Sequence, residues 1–234
     1  MTKRGIFLLK WLHRLNYKYG RHYITNLMLY IIIAQTAVYI SNYFFASRGF
    51  TVSDYLYFDR SLILAGQIWR IVTFIFIPPQ TNAIFMFFFM YLYYMIGQAL
   101  ERTWGGFYFN AYYFLGVILS IAGGFITGFS NITYLNLSLF LAFAILFPNQ
   151  QFLIFFIIPV KVKYLAIIDV VFLAIAFVFT DWSGKAAILV SLLNLVIFFW
   201  DEFFPKLRDR WRFRKIRSSW KNNNRITYLD GEDN

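Results

Sequence analysis

The chain has no cysteine and only two histidines, His13 and His22, among its 234 residues. The first absence excludes disulfides, thiolate metal sites and cysteine nucleophiles. The second leaves no histidine beyond the N-terminal arm to bind zinc or act as a general base, so no metal and no cofactor is implied. Charge is also scarce, with 14% of residues charged against 60% hydrophobic and 23% aromatic. A water-soluble domain of that composition would expose large apolar patches, so the chain reads as an integral membrane protein. A cleavable secretory signal is lacking too. Six Lys and Arg are scattered through the first 25 residues with no small-residue cleavage site before the first long apolar run. The first span is therefore expected to act as its own targeting signal.

Six spans, each nearly free of charge, can be drawn at Asn26 to Ala46, Thr81 to Leu100, Phe107 to Phe129, Tyr134 to Phe147, Tyr164 to Thr180 and Ala186 to Phe204. The expected fold is an all-α polytopic membrane domain over 26–204, with a cytoplasmic amphipathic arm at 1–25 and a basic cytoplasmic tail at 205–234. The fourth span is short. Its helix material reaches only about 21 Å against a hydrocarbon core of about 30 Å, so another segment must complete the crossing. An even number of spans puts both termini on one side. That side receives 18 of the 22 Lys and Arg, and the other receives only Arg48, Arg60, Arg70 and Lys185. The positive-inside rule then makes the termini cytoplasmic.

In the arm, Leu8, Leu12 and Leu15 share one helical face while Lys10, Arg14 and Lys18 share another, as in a helix lying along the inner leaflet. The tail KLRDRWRFRKIRSSWKNNNR interleaves aromatic and basic residues, which suits anionic lipid better than nucleic acid, and LDGEDN at the end reads as disordered. The segment between the first two spans, SRGFTVSDYLYFDRSLILAGQIWRIVTFIFIPPQ, is too apolar for a solvated loop and too interrupted to span. It is expected to lie in the outer leaflet's interface, where Trp69 and Arg70 can serve as an anchor, with the indole among head groups and the guanidinium on phosphate.

Several polar residues fall inside spans. Asp169 would cost about 2.5–3.5 kcal/mol at the bilayer centre, so it is expected to face the protein interior with a hydrogen-bond partner; transport or proton relay is the alternative. Asn136 and Asn194 are placed to bridge the fourth and sixth spans. Ser138 is expected to bond a backbone carbonyl one turn back. Gly116, Gly124 and Gly128 on the third span include a Gly-x-x-x-Gly pair that favours close helix approach. The second span, AIFMFFFMYLYYMIG, has almost no small residues, so one phenylalanine and methionine face is expected to meet lipid or another protein's helix.

Four segments, QIWRIVTFIFIPP, MIGQALERTWGG, LFPN and FFIIPVKVKYLA, together with the order of the six spans, resemble the rhomboid superfamily of intramembrane serine proteases and their inactive relatives, derlins included. The resemblance covers 26–204. It implies a six-helix bundle with a short fourth helix at its centre, approached through TGFSNIT from a cavity on the outer side, and an interfacial loop between helices 1 and 2. It makes Trp69 and Arg70 anchors of that loop. It also gives Glu101 and Arg102 a cytoplasmic turn, with Glu101 accepting from the backbone of TWGG.

The resemblance also implies that catalysis is lost. Counting back from LFPN places Thr133 at the family's serine position, followed by bulky Tyr134, and no histidine stands on the sixth span. The His-x-x-x-Asn that helps bind the oxyanion in the family is absent from the second span. A dyad of Thr133 or Ser138 with Lys185 is the one remaining catalytic arrangement. The expected function is that of an inactive rhomboid-like protein binding transmembrane segments of other proteins in quality control, trafficking or assembly. An intramembrane endopeptidase with a non-standard site and a small transporter are the alternatives. The membrane would be the plasma membrane in a prokaryote and the endoplasmic reticulum in a eukaryote.

Overall fold

The computed structural model describes residues 10–79, 81–154 and 158–199. The basic tail and the end of the sixth span, like Leu8 of the arm, lie outside these residues. The chain runs through a short amphipathic helix α1 (Lys10–Tyr19) into the apolar α2 (Leu27–Ala46). The segment that follows folds into α3 (Ser53–Leu56), strand β1 (Phe58–Asp59), α4 (Arg60–Leu64), α5 (Arg70–Thr73) and a 3-10 turn at Phe74–Phe76. Next come α6 (Ala83–Trp104), α7 (Gly106–Thr127), strand β2 (Phe129–Ser130) and α8 (Thr133–Leu146). A hairpin of β3 (Gln151–Ile154) and β4 (Ile158–Lys161) leads to α9 (Val162–Phe179) and α10 (Trp182–Phe199).

Five of these helices, α2, α6, α7, α9 and α10, are long and apolar enough to cross a membrane, and α8 is a shorter apolar helix of 14 residues. In lipid an apolar run satisfies its backbone by helix formation, so breaks fall where special residues allow them. Gly105, at φ 90°, is the single residue between α6 and α7, and Gly128, at φ 95°, ends α7. The side chain of Asn82 caps α6 by accepting from Phe85 N (3.0 Å), and Asp181 accepts from Gly184 N (3.2 Å) at the start of α10.

Contacts sort the helix ends into two groups. At one end β1 pairs antiparallel with β2, and the Ser183 hydroxyl donates to the Thr127 carbonyl (3.3 Å). At the other, Asn16 donates to the Tyr108 hydroxyl (3.1 Å), Asn110 donates to the Ile24 carbonyl (3.2 Å), and Trp104 packs on Phe198 and Phe199. The apolar helices therefore alternate in direction. At their centre lies α8, with Leu135, Asn136, Ser138, Leu139, Phe140, Leu141, Ala142, Phe143 and Ala144 all buried, whereas the longer α9 buries only Val162 and Leu173.

The structure departs from the expected layout in four places. The helix of the second span continues to Trp104, so Glu101 and Arg102 sit in its last turns and not in a loop. The sixth helix begins at Trp182, earlier than expected, so Lys185 belongs to its first turn. The residues before α9 form a hairpin. Gly128 serves as the left-handed terminus of α7 instead of a packing position, while Gly124 is the packing glycine: a Cβ there would lie 2.6 Å from Phe58 and 2.8 Å from Ser130.

Candidate functional site

The segment between α2 and α6 is held by polar contacts. Arg70, only 4% exposed, donates from Nη1 to the carbonyls of Asp54 and Tyr57 (2.9 Å each) and from Nε to Gln67 Oε1 (2.7 Å). Its guanidinium also lies 4.7 Å from the Tyr57 ring centroid. The guanidinium thus binds protein carbonyls and not lipid phosphate as a simple anchor would, because the loop curls around it. Half-exposed Trp69 donates its indole N–H to the Tyr55 carbonyl (3.1 Å), and Thr73 donates to the Leu56 carbonyl (3.0 Å). Asp59 caps α4, accepting from Leu62 N (3.1 Å) and from Ser61. The Ser61 side chain, foremost, holds its carboxyl below the usual carboxylate range.

Beyond Arg70 the segment dips inward. Buried Gln35, in the middle of α2, donates to the Ile75 carbonyl (3.0 Å), and Phe74 and Ile75 are buried beside it. Irregular backbone at that depth is tolerated because protein covers it.

The hydroxyls considered for catalysis are separated in their surroundings. Ser138, 1% exposed, pairs with Tyr112 of α7. The tyrosine donates to the Ser138 carbonyl (3.0 Å), and the serine hydroxyl lies 2.9 Å from the phenol oxygen, to which it donates. This replaces the expected bond to a carbonyl one turn back on α8. Thr133 is exposed at the start of α8, where its backbone N–H donates to Asn131 Oδ1 (3.0 Å). Among the described residues no hydrogen bond joins Lys185 to Thr133 or Ser138. Tyr112 could not be picked from sequence, since nothing distinguishes it from its neighbours in the aromatic run FNAYYFLG.

The asparagines do not bridge α8 and α10. Asn194, fully buried, has its amide 3.5 Å from the Tyr112 carbonyl of α7, against Gly116, where a Cβ would meet both Leu135 and Asn194. Asn136 Oδ1, Asn194 Oδ1 and the Tyr113 hydroxyl are buried without a protein hydrogen-bond partner. Glu101 accepts from Asn26 N (3.0 Å) and not from the TWGG backbone, and Arg102 donates to Gln98 (2.8 Å). Glu101 therefore ties α6 to the start of α2 while the Arg102 bond stays within α6, because the helix continues where a turn was expected.

Asp169 lies on the face of α9 that carries Ala166 and Leu173, which pack toward α8. The carboxylate is half-buried and its Oδ2 has no hydrogen-bond partner, contrary to the expected satisfied interior group. Partly buried Tyr93 of α6 lies within its electrostatic reach. Both α6 and α9 pack on α8, yet they have no extensive contact with each other. Near the hairpin, a cavity of about 120 Å³ is lined by Phe88, Tyr91, Leu92 and Met95 of α6 with Phe152 and Leu153 of β3.

These features define a multi-pass, mostly helical membrane protein with a short apolar helix at its core. Compared with models of known protein families and with curated proteins, the chain matches none.

Proposed function

We propose that this protein is a catalytically inactive, rhomboid-like scaffold that binds transmembrane helices of other membrane proteins, in their quality control, trafficking or assembly. Both termini are cytoplasmic in this reading, and the basic tail rests on anionic lipid. The observation that carries it is that α6 and α9 each pack on α8 while making little direct backbone contact with each other; the reading takes the space between them, floored by α8, as a crevice open to lipid. A helix entering there from the bilayer would meet large adaptable side chains: Phe85 of α6 and Ile168 and Phe172 of α9 are all exposed. The exposed α9 has only 18 residues, about 27 Å, against a hydrocarbon core of about 30 Å, and such a mismatch thins the surrounding bilayer and lowers the cost of admitting a polar client segment. The pairing of Ser138 with Tyr112 supports a structural role for the serine.

Photo-crosslinkers introduced singly from Phe85 to Tyr94 test the crevice. Adducts to client helices are expected at Phe85, Phe89 and Leu92, which share the helical face beside Tyr93. Met86, which is buried, and Met90, whose sulfur accepts from Thr36 of α2 (3.8 Å), should stay silent. Lipid adducts alone at every position would overturn the reading.

A further inference from the structure

Among the described residues, Asp169 is the only Asp, Glu, Lys, Arg or His lying more than one turn from the end of an apolar helix. Glu101, Arg102, Lys163 and Lys185 all lie within a turn of a helix end, where a charged side chain can reach the interface. Asp169 is seven residues into α9, about 10 Å along a helix of about 27 Å, and cannot do so with its short side chain. Tyr93, within its electrostatic reach, sits equally near the middle of α6. The carboxylate thus stands at mid-depth, beside the crevice, with one oxygen buried and unpartnered. No described cation pairs with it, and α8, the helix it leans toward, carries no charge at all.

A buried acceptor without a donor is costly, and a carboxylate in hydrocarbon is more so. Packing does not explain its retention, since a leucine or asparagine there would remove the charge. We infer that Asp169 is a selectivity residue of the crevice, recognising transmembrane helices that carry a lysine or arginine near mid-span. This rests on the client-binding reading above and names the client class. A helix with a mid-span cation is itself poorly soluble in lipid. Seated between α6 and α9, its ammonium or guanidinium would meet the Asp169 carboxylate, and each charge would remove the other's uncompensated burial. A purely apolar helix would fit the same walls but leave Asp169 as it is.

The test uses the full chain in nanodiscs of neutral phosphatidylcholine and bilayer-length leucine-alanine peptides with identical flanks, differing only in a central leucine, lysine or glutamate. Binding is read by energy transfer between labelled peptide and labelled protein. The wild type is expected to bind the lysine peptide about tenfold more tightly than the leucine peptide. Asp169→Asn should bind both equally, at the leucine-peptide affinity, and Asp169→Lys should turn the preference to the glutamate peptide. A thermal melt of Asp169→Asn close to the wild type's establishes that the bundle is intact. Equal affinities in the wild type, or a lysine preference kept by a folded Asp169→Asn, would overturn the inference. If the leucine peptide still cross-links along α6 in that case, the crevice stands and only the charge selection fails. Absence of binding by every peptide would overturn both.

Discussion

Arg70 shows how one side chain can organise a stretch of irregular backbone. Two carbonyls and a glutamine oxygen receive its three bonds, and the Tyr57 ring lies against its guanidinium. A planar fork can hold all of these at once, whereas an ammonium cannot. Arg70→Ala leaves the Asp54 and Tyr57 carbonyls without their donor and is expected to destabilise the protein by about 3 kcal/mol, with Arg70→Lys recovering only part of it. Arg48, whose exposed guanidinium lies 5.6 Å from the Phe45 ring centroid, offers the comparison: Arg48→Ala should cost under ~1 kcal/mol. Thermal unfolding in detergent measures both, and equal shifts would reduce Arg70 to a generic surface cation. In the sequence the Trp-Arg pair was legible as an anchor. What it anchors was not, because the acceptors are backbone groups, which every residue carries.

Among the elements, α8 was the most legible, since its length follows from where the unbroken apolar run begins and ends. The β1–β2 pairing was not. Strands of two residues show no alternation, and their register depends on Phe58 being clamped against α7. That clamp needs a glycine. Phe58, fully buried, meets Phe74 and Phe125 edge to face at ring-centroid separations of 5.9 and 5.4 Å, so it cannot retreat from a new methyl group at position 124. Gly124→Ala is expected to lose about 1–3 kcal/mol by overpacking, despite the gain in helix propensity. Neighbouring Gly123 faces Val190 Cγ2, 3.2 Å from its ideal Cβ, a side-chain tip that can yield by a few tenths of an ångström. Gly123→Ala should therefore be near neutral. Unfolding midpoints of the two variants decide the point, and a larger loss from Gly123→Ala would contradict the clamp.

Sidedness belongs to the molecule as a whole. The absence of cysteine makes every introduced one unique. With cytoplasmic termini, Arg48→Cys and Trp182→Cys, both exposed at the end that carries β1 and β2, should react in intact cells with a membrane-impermeant maleimide. Thr103→Cys and Gln150→Cys, exposed at the opposite end, should react only after permeabilisation. The reverse pattern would invert the proposed topology and leave the alternating helix directions unchanged. The crevice proposed between α6 and α9 belongs to the same scale: each wall reads in sequence as an ordinary apolar helix, and only their common packing on α8 relates them.

Composition, the run of apolar helices, the shortness of the fourth of them and the charge bias between loops were determined by the sequence alone. Each rests on the transfer of single residues between water and lipid, a cost that is nearly independent of what lies beside them. The partners of Ser138, Asn194 and Glu101, the dip of Phe74 and Ile75 beneath Arg70, and the half-burial of Asp169 near Tyr93 were decided only in three dimensions. These depend on distances of a few ångströms between segments far apart in the chain. Hydropathy cannot distinguish one such arrangement from another when every helix is apolar on all sides.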